Sequence, residues 1–120
     1  MAVMSRVLVP LVAAALLAFA LVSPAGASDP WGPGFKTCGS FKSGDYRIKV
    51  HAKGMTCKRA TAIQREYWNG PKRRKVEHNG ETNADSYVTL KRYPGYRCAS
   101  GAGAGTCANK KRTRVAAYDN

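Results

Sequence analysis

Residues 46–53 read YRIKVHAK, and this stretch decides the fold because apolar and basic side chains alternate along it. Alternation with a period of two is typical of a half-buried β-strand, one face of which enters the core while the other meets water. Gly54 then breaks the pattern, and Thr56 occupies the position of a helix N-cap. The sequence therefore predicts a strand over 46–53 and a helix that begins at Cys57.

The predicted helix, 57–69, is amphipathic and has a clear C-terminal boundary. On a helical wheel with about 100° per residue, one arc contains the side chains of Cys57, Ala60, Ile63, Gln64, Tyr67 and Trp68. The opposite arc contains those of Lys58, Arg59, Ala62, Arg65 and Glu66. Gly70 is placed to cap the C-terminus, and Pro71 prevents the helix from continuing. We expect the first arc to pack on the sheet.

The C-terminal half predicts several strands in succession. Alternation over 86–93 (SYVTLKRY) indicates a second strand, 96–98 begins a short one, and 110–118 is the last. The glycine-rich stretch 99–106 (ASGAGAGT) is predicted to be a flexible tip, and the polar stretch 72–85 a loop that could flank one short extra strand. This order predicts an α+β domain in which one amphipathic helix packs on a small, mainly antiparallel sheet.

The first 27 residues predict a cleaved signal peptide. A positive charge precedes the uncharged stretch 7–22, and Ala25-Gly26-Ala27 offers the small residues that a signal peptidase requires. A retained membrane anchor is the alternative, but the 16 residues of 7–22 fall short of the roughly 20 that span a bilayer. We therefore expect a secreted or cell-wall-associated protein with no membrane span after processing. Its mature chain would comprise a flexible lead-in, 28–36, and one domain, 37–120.

Basic residues greatly outnumber acidic ones. The whole sequence has 20 Lys and Arg against 7 Asp and Glu. Because Arg6 lies in the predicted leader, the mature chain carries 19 basic side chains and a formal charge of +12. A domain this small buries only about 60% of its unfolded surface, and its like charges repel one another. We therefore expect covalent cross-links to stabilise the fold.

The mature chain contains four cysteines, Cys38, Cys57, Cys98 and Cys107. An exported chain with an even number of cysteines predicts two disulfides. Zinc binding is the alternative, but no Cys-x-x-Cys pair exists and the spacings of 19, 41 and 9 fit no finger pattern. We predict no metal site and no cofactor. Three pairings are possible, of which we favour Cys98–Cys107 across a hairpin and Cys38–Cys57 between the N-terminal segment and the helix start.

Five short motifs follow one another along the domain. They are Cys38-Gly39, the strand 46–53, the step Gly54-Met55-Thr56-Cys57 with Ala60, Gly95-Tyr96-Arg97-Cys98, and Cys107 ahead of Arg114–Ala117. Together, over roughly 37–118, they resemble a group of small exported actinobacterial proteins with four cysteines. The resemblance implies a fold and an extracellular location but no chemistry, because the group has no established activity. The basic stretch 72–75 departs from the group's pattern.

Alternation assigns the strand residues to two faces of the sheet. The residues expected to point toward the helix are Ile48, Val50, Val88, Leu90, Val115 and Ala117. The other face would then be open, cationic and free of carboxylates, with two tyrosines among its charges. Its predicted members are Arg47, Lys49, His51, Lys53, Tyr87, Thr89, Lys91, Tyr93, Arg112 and Arg114.

Such a face predicts binding to an anionic extracellular polymer, which could be a wall polysaccharide, another acidic polysaccharide or a nucleic acid. The run Lys72-Arg73-Arg74-Lys75 is a second candidate for contact with the same polymer. The alternative is that both are simply solvated surfaces. An antiparallel sheet can leave one face in water, and exposed Lys and Arg oppose pairing between sheet edges.

Two other functions compete with polymer binding. A ribonuclease needs an acid and a base beside a cation, and His51, His78, Glu66 and Glu77 supply these residue types without a recognisable motif. An inhibitor of a secreted hydrolase could present 98–107 as a rigid loop, although its Ala, Ser and Gly side chains offer no anchor. We predict a non-enzymatic protein without catalytic residues. A protein partner and the oligomeric state stay open.

Overall fold

The computed structural model describes residues 29–120, and the predicted leader, 1–27, lies outside the described residues. Its strands are β1 (Phe35–Ser43), β2 (Tyr46–Lys53), β3 (Lys75–His78), β4 (Tyr87–Leu90), β5 (Tyr93–Gly101), β6 (Ala104–Ala108) and β7 (Val115–Asp119). They form one sheet in the order β1-β2-β7-β6-β5-β4-β3, with every pair antiparallel. One helix, α1 (Cys57–Asn69), packs on β1, β2 and β7. The predicted α+β fold class is confirmed.

Helix α1 begins and ends where the sequence predicts. The hydroxyl of Thr56 accepts a hydrogen bond from the N–H of Arg59 at 3.2 Å, and the N–H of Gly70 donates to the carbonyl of Glu66 at 3.0 Å. These contacts satisfy backbone groups that the ends of a helix otherwise leave unpaired. Among the described residues, no helix has the length and apolar character needed to cross a membrane. The predicted sheet-facing members that are fully buried are Ala60, Ile63 and Gln64.

The prediction of which residues in the last strand point toward α1 is wrong. Ala52 of β2, which faces α1, lies opposite Ala116 of β7. Because directly paired residues share a face of the sheet, Ala116 and Tyr118 point toward α1, and Val115 and Ala117 point away from it. The strand reads VAAYD, and its four consecutive apolar residues contain no alternation from which the phase could be predicted.

Three further elements differ from the sequence-based expectation. β1 is not predicted at all, because a bulge between Thr37 and Gly39 interrupts its alternation against β2. β3 lies within the polar stretch 72–85, and it is the short extra strand that this stretch was expected to accompany. The last strand starts at Val115 and not at 110, since 109–114 form a loop in which the side chain of Asn109 accepts a hydrogen bond from the N–H of Arg114 at 2.9 Å.

Both favoured disulfides are confirmed. Cys38 of β1 is joined to Cys57 at the start of α1, so this bridge connects the edge of the sheet to the helix. Cys98 and Cys107 are joined across β5 and β6, where they lie directly opposite each other. All four cysteines of the sequence are thus paired. The two bridges thus hold both layers of the domain, one between the layers and one within the sheet.

The segment 98–107 is a paired hairpin. Its register runs from Cys98 opposite Cys107 to Gly101 opposite Ala104, which leaves only 102–103 as the turn. The predicted flexible tip over 99–106 is therefore mostly strand. The free loop that the inhibitor interpretation requires is not formed in this segment.

Gly54 brings the turn between β2 and α1 against the loop 109–114. Its φ angle is +68°, and a Cβ at this position would overlap the carbonyl oxygen of Thr113. Only glycine accepts this backbone conformation without strain at so close an approach. The contact holds the loop 109–114 beside the C-terminal end of β2.

Candidate anion-binding site

The open face, defined as the side of the sheet that points away from α1, is covered at its centre. Trp31 and Phe35 pack there on Ala108, Val115 and Ala117 of the central strands. The segment predicted to be a flexible lead-in therefore makes specific contacts with the sheet. These contacts divide the exposed part of the open face into a half on β1 and β2 and a half on β3 to β5.

His51 lies beneath this N-terminal segment and is only 3% exposed. Its Nδ1 is 2.8 Å from Oδ2 of Asp29, and its Nε2 is 2.9 Å from Oδ2 of Asp119. Asp29 also accepts hydrogen bonds from the hydroxyl of Thr37 at 2.6 Å and from the N–H of Trp31 at 2.9 Å. The indole Nε1 of Trp31 donates to Asp119 at 3.3 Å. We call these five residues the N-terminal lock.

The N-terminal lock corrects two expectations. His51 does point to the predicted face, but it is buried and both of its ring nitrogens face carboxylates, so it offers no contact to a polymer or to a ribonuclease substrate. The open face also contains a carboxylate, because Asp119 lies opposite Lys49. Local alternation could reveal neither fact, since Asp29 and Asp119 lie far from the strand 46–53 in sequence.

The environment of Asp29 favours its charged form. Burial alone would raise its pKa, since the side chain is only 2% exposed. Hydrogen bonds from Thr37, His51 and the N–H of Trp31, together with the attraction of His51, outweigh burial and hold the pKa of Asp29 below its ordinary value of 3.8. The carboxylate is thus better stabilised in the folded protein than in the unfolded chain.

We expect acid to release the N-terminal segment. Because the folded pKa of Asp29 lies below the unfolded value of 3.8, its contribution to stability is complete above that value and is lost as the pH falls through the lower folded pKa. Trp31 fluorescence in a Trp68→Phe background should therefore change below pH 3.8. In the Asp29→Asn variant this transition should disappear. A transition that persists unchanged in the variant would show that another group causes it.

The half of the open face on β1 and β2 carries three predicted basic residues. Arg47 and Lys49 are exposed, and the guanidinium of Arg47 donates to the hydroxyl of Ser40 at 3.0 Å. Lys53 is half-buried, and its Nζ lies 5.7 Å from the centre of the Phe35 ring. Arg47 and Lys49 thus lie where the sequence predicts, whereas Lys53 is partly engaged by the aromatic ring.

Tyr87 lies on the other half of the open face, within a stack of planar groups. Its ring and that of His78 are 4.5 Å apart between centroids, with 13° between their planes. Cζ of Arg97 lies 4.6 Å from the centre of the Tyr87 ring, and Nε2 of His78 is 3.0 Å from the hydroxyl of Thr89. The sequence analysis did not identify Arg97 as a residue of this face. Because the side chain of Cys98 points toward the core in its disulfide, strand alternation would have placed the neighbouring Arg97 on the open face.

Lys91 and Tyr93 do not lie on the open face. A register shift between Thr89 and Leu90 ends the alternation, and Lys91 lies in the turn that leads to β5. Tyr93 packs against the core on the α1 side, where Cζ of Arg59 is 5.7 Å from the centre of its ring. A side chain that is packed in this way is not available to stack on a polymer.

Half of the basic run 72–75 is used inside the protein. Nε of Arg74 lies 2.7 Å from a carboxylate oxygen of Glu66, and Nζ of Lys75 donates to the carbonyl of Tyr67 at 2.6 Å. Burial lowers the pKa of Lys75, although the attraction of Glu66 opposes this shift. Glu66 is buried, contrary to its predicted place on the exposed arc of the helix. The two exposed members of the run are Lys72 and Arg73.

One end of the sheet gathers cations that are distant in sequence. Lys53, Val115, Ala108 and Arg97 form a row across β2, β7, β6 and β5. The connections beyond this row are 54–56, 91–92 and 109–114, and the connection 70–74 meets them where the N–H of Lys91 donates to the carbonyl of Arg74 at 2.9 Å. We call these four connections the basic end. They contain no Asp or Glu. Their cations are Lys72, Arg73, Arg74, Lys91, Arg92, Lys110, Lys111, Arg112 and Arg114.

The opposite end of the sheet has the reverse charge. Its connections, 44–45, 79–86 and 102–103, carry Asp45, Glu81 and Asp85 but no Lys or Arg. We call them the acidic end. Within residues 29–120, the only basic-end cations within 4.0 Å of a carboxylate are Arg74 and Arg92, both beside Glu66. The connections at the two ends of the sheet therefore carry opposite charge, and the unpaired cations of these connections lie at one end.

No protein-family model matches this chain, and neither a curated protein nor a solved structure matches it. The resemblance to small exported actinobacterial proteins stays a prediction. In the part of the chain that the structure describes, no group of His, Cys, Asp and Glu side chains is placed to hold a metal ion. Function is therefore argued from the α+β fold and from the charge at the two ends of its sheet.

Proposed function

We propose that this chain is a secreted, non-enzymatic domain that binds an anionic extracellular polymer at its basic end. The polymer could be a wall polymer, an acidic polysaccharide or a nucleic acid. The observation that carries the proposal is the separation of charge between the connections at the two ends of the sheet, with nine cations in the connections at one end and three carboxylates in those at the other. The predicted leader and the two disulfides support an oxidising, extracellular location.

The arrangement of the basic end suits a chain better than a single small anion. The N–H of Lys91 donates to the carbonyl of Arg74 at 2.9 Å, which joins the connections 70–74 and 91–92. Gly54 holds the loop 109–114 in place. From β2 to β4 the row of strand ends extends for about 19 Å, at about 4.8 Å per strand. A polymer that neutralises cations along this row would release its counterions and gain free energy from doing so.

The basic end includes only part of the site that the sequence predicts. It contains Lys72, Arg73, Lys91, Arg112 and Arg114. Arg47 and Lys49, by contrast, lie on the open face toward the acidic end, since Arg47 directly follows the hairpin of 44–45. The proposed site is therefore at the ends of the strands and not on the sheet face.

Replacing Arg112 and Arg114 together by Glu is expected to weaken binding to heparin and to single-stranded DNA by about 10- to 100-fold. The slope of log K against log salt should fall by about two, because two phosphate or sulfate contacts are lost. The measurement is fluorescence anisotropy with labelled polymer between about 50 and 200 mM salt. Retention on isolated wall polymer should decrease in parallel.

The matched control is the variant in which Arg47 and Lys49 are both replaced by Glu. It changes the net charge by the same amount at the other end of the molecule, and its affinity should fall by less than about threefold. Equal weakening by the two double variants would show that only net charge matters and would reject the basic end. A wild-type protein that binds none of the three polymers would reject the function itself.

A further inference from the structure

A groove on the α1 side of the sheet lies apart from the basic end. Helix α1 covers β1, β2 and β7, which leaves β3 to β5 partly uncovered on the same side. Two adjoining cavities of about 310 and 440 Å³ open there, and both are lined by Tyr67, Glu77, Val88 and Ser100. Each falls within the range of about 300–1,000 Å³ that is typical of sites for small ligands.

Two aromatic side chains form part of the walls of this groove. Tyr67 and Trp68 line the first cavity, and Tyr67 also lines the second, whereas His78 and Tyr87 border the second cavity with their stacked rings on the open face. The hydroxyl of Tyr67 lies 2.9 Å from that of Ser100, which orients the ring. Flat apolar rings with polar edges can pack on the C–H faces of a ring-shaped ligand while hydrogen bonds form around it.

The polar groups of the groove can both donate and accept hydrogen bonds. Amides and hydroxyls do both, and a carboxylate accepts, so this set matches the hydroxyl groups of a ligand, which also do both. Within the described residues, the buried Nε1 of Trp68 has no acceptor. The polar residues that line the two cavities include Glu77, Asn79, Asn83, Ser86 and Ser100.

Charge in and around the groove disfavours an anion. Glu77 lines both cavities, and the adjacent connection 79–86 carries Glu81 and Asp85. The one lysine among the lining residues is Lys75, and its ammonium group already donates to the carbonyl of Tyr67 at 2.6 Å. The groove therefore suits a different ligand from the polymer proposed for the basic end.

We propose that this groove binds a neutral oligosaccharide of roughly two or three sugar rings, the length that two adjoining cavities of this size accept. Aromatic walls pack against the rings of the sugar, and the amide, hydroxyl and carboxylate groups bind its hydroxyls. The inference does not depend on polymer binding at the basic end. The protein would then hold an uncharged glycan and an anionic polymer at separate places.

The test is a titration of ¹⁵N-labelled protein with three neutral trisaccharides, namely cellotriose, maltotriose and triacetylchitotriose. At least one of them should shift the amide signals of 75–79, 83–88 and 99–101, with an affinity that does not change with salt. Glu77→Gln is expected to weaken this binding by about tenfold, because a charged acceptor is lost. Glu81→Gln is the matched control, since Glu81 lines neither cavity, and it should bind like the wild type.

Two results would overturn the groove proposal. One is the absence of groove shifts with all three sugars, and the other is tighter groove binding of the anionic trisaccharide trigalacturonate. The Arg112→Glu, Arg114→Glu double variant separates this inference from the proposed function, because it should keep its affinity for the neutral sugar while its affinity for the anionic polymer falls. If no neutral sugar binds in the groove while the anionic polymer still binds, only the groove proposal is rejected.

Discussion

Removal of both disulfides is expected to unfold this domain at room temperature. The bridges join residues 19 and 9 positions apart, and each restricts the unfolded chain by about 3 kcal/mol in the loop-entropy treatment. Small domains have a free energy of unfolding of only about 5–15 kcal/mol, and unpaired cations reduce it further. A domain this small and highly charged lies at the low end of that range, so a loss of about 6 kcal/mol leaves little stability or none.

The two bridges should differ in effect. Cys38→Ala with Cys57→Ala should cost more than Cys98→Ala with Cys107→Ala, since the first bridge closes the longer loop and joins β1 to α1. The second joins strands that already pair. Urea unfolding followed by near-UV circular dichroism measures both losses. Oxidised protein treated with iodoacetamide is the control, and reduced protein with an unchanged midpoint would contradict the prediction.

Replacing His51 by Ala is expected to detach the N-terminal segment and to lower the free energy of unfolding by about 3 kcal/mol. The imidazole lies between Asp29 and Asp119 at 2.8 and 2.9 Å, so its removal takes a hydrogen-bond partner from the buried carboxylate of Asp29. Detachment returns Asp29 to water and exposes Trp31. The readouts are a red shift of Trp31 emission in a Trp68→Phe background, faster amide exchange around 29–34, and a lower urea midpoint.

A double variant provides the control for this prediction. Adding Asp29→Asn to His51→Ala removes the buried negative charge that has lost this hydrogen-bond partner, so part of the lost stability should return. Unchanged Trp31 emission and an unchanged midpoint in the His51→Ala variant would mean that the N-terminal lock contributes nothing to stability. The segment would then be held by the apolar contacts of Trp31 and Phe35 alone.

The elements with local signals are predicted correctly. The alternation of 46–53 identifies β2, and the arc of 57–69 with Thr56 and Gly70 identifies α1 with both of its ends. Hairpin geometry also favours the Cys98–Cys107 bridge that the structure contains. Each of these signals lies within a few residues of the feature it predicts, because hydrogen bonding in a helix turn and side-chain alternation in a strand are short-range.

The candidate site depends on contacts between distant segments. Asp29 and Asp119 bury His51 only because the segment before β1 and the end of β7 meet at β2. Tyr93 points toward the core because the strand register shifts at Leu90, and the alternating pattern of 86–93 contains no signal that predicts this shift. The basic end brings together 70–74, 91–92 and 109–114, which become neighbours only through the strand order.

The sequence by itself determined the α+β class, the helix with its caps, the presence of two disulfides and the excess of positive charge, because composition and short-range periodicity carry these properties. Only the tertiary structure decided which side of the sheet Val115 and Ala117 face, that His51 is buried, and that cations and carboxylates gather at opposite ends of the strands. Pairing between strands selects the phase and the neighbours of each residue. That selection depends on the whole core, since a shift of one residue would exchange the two faces of a strand.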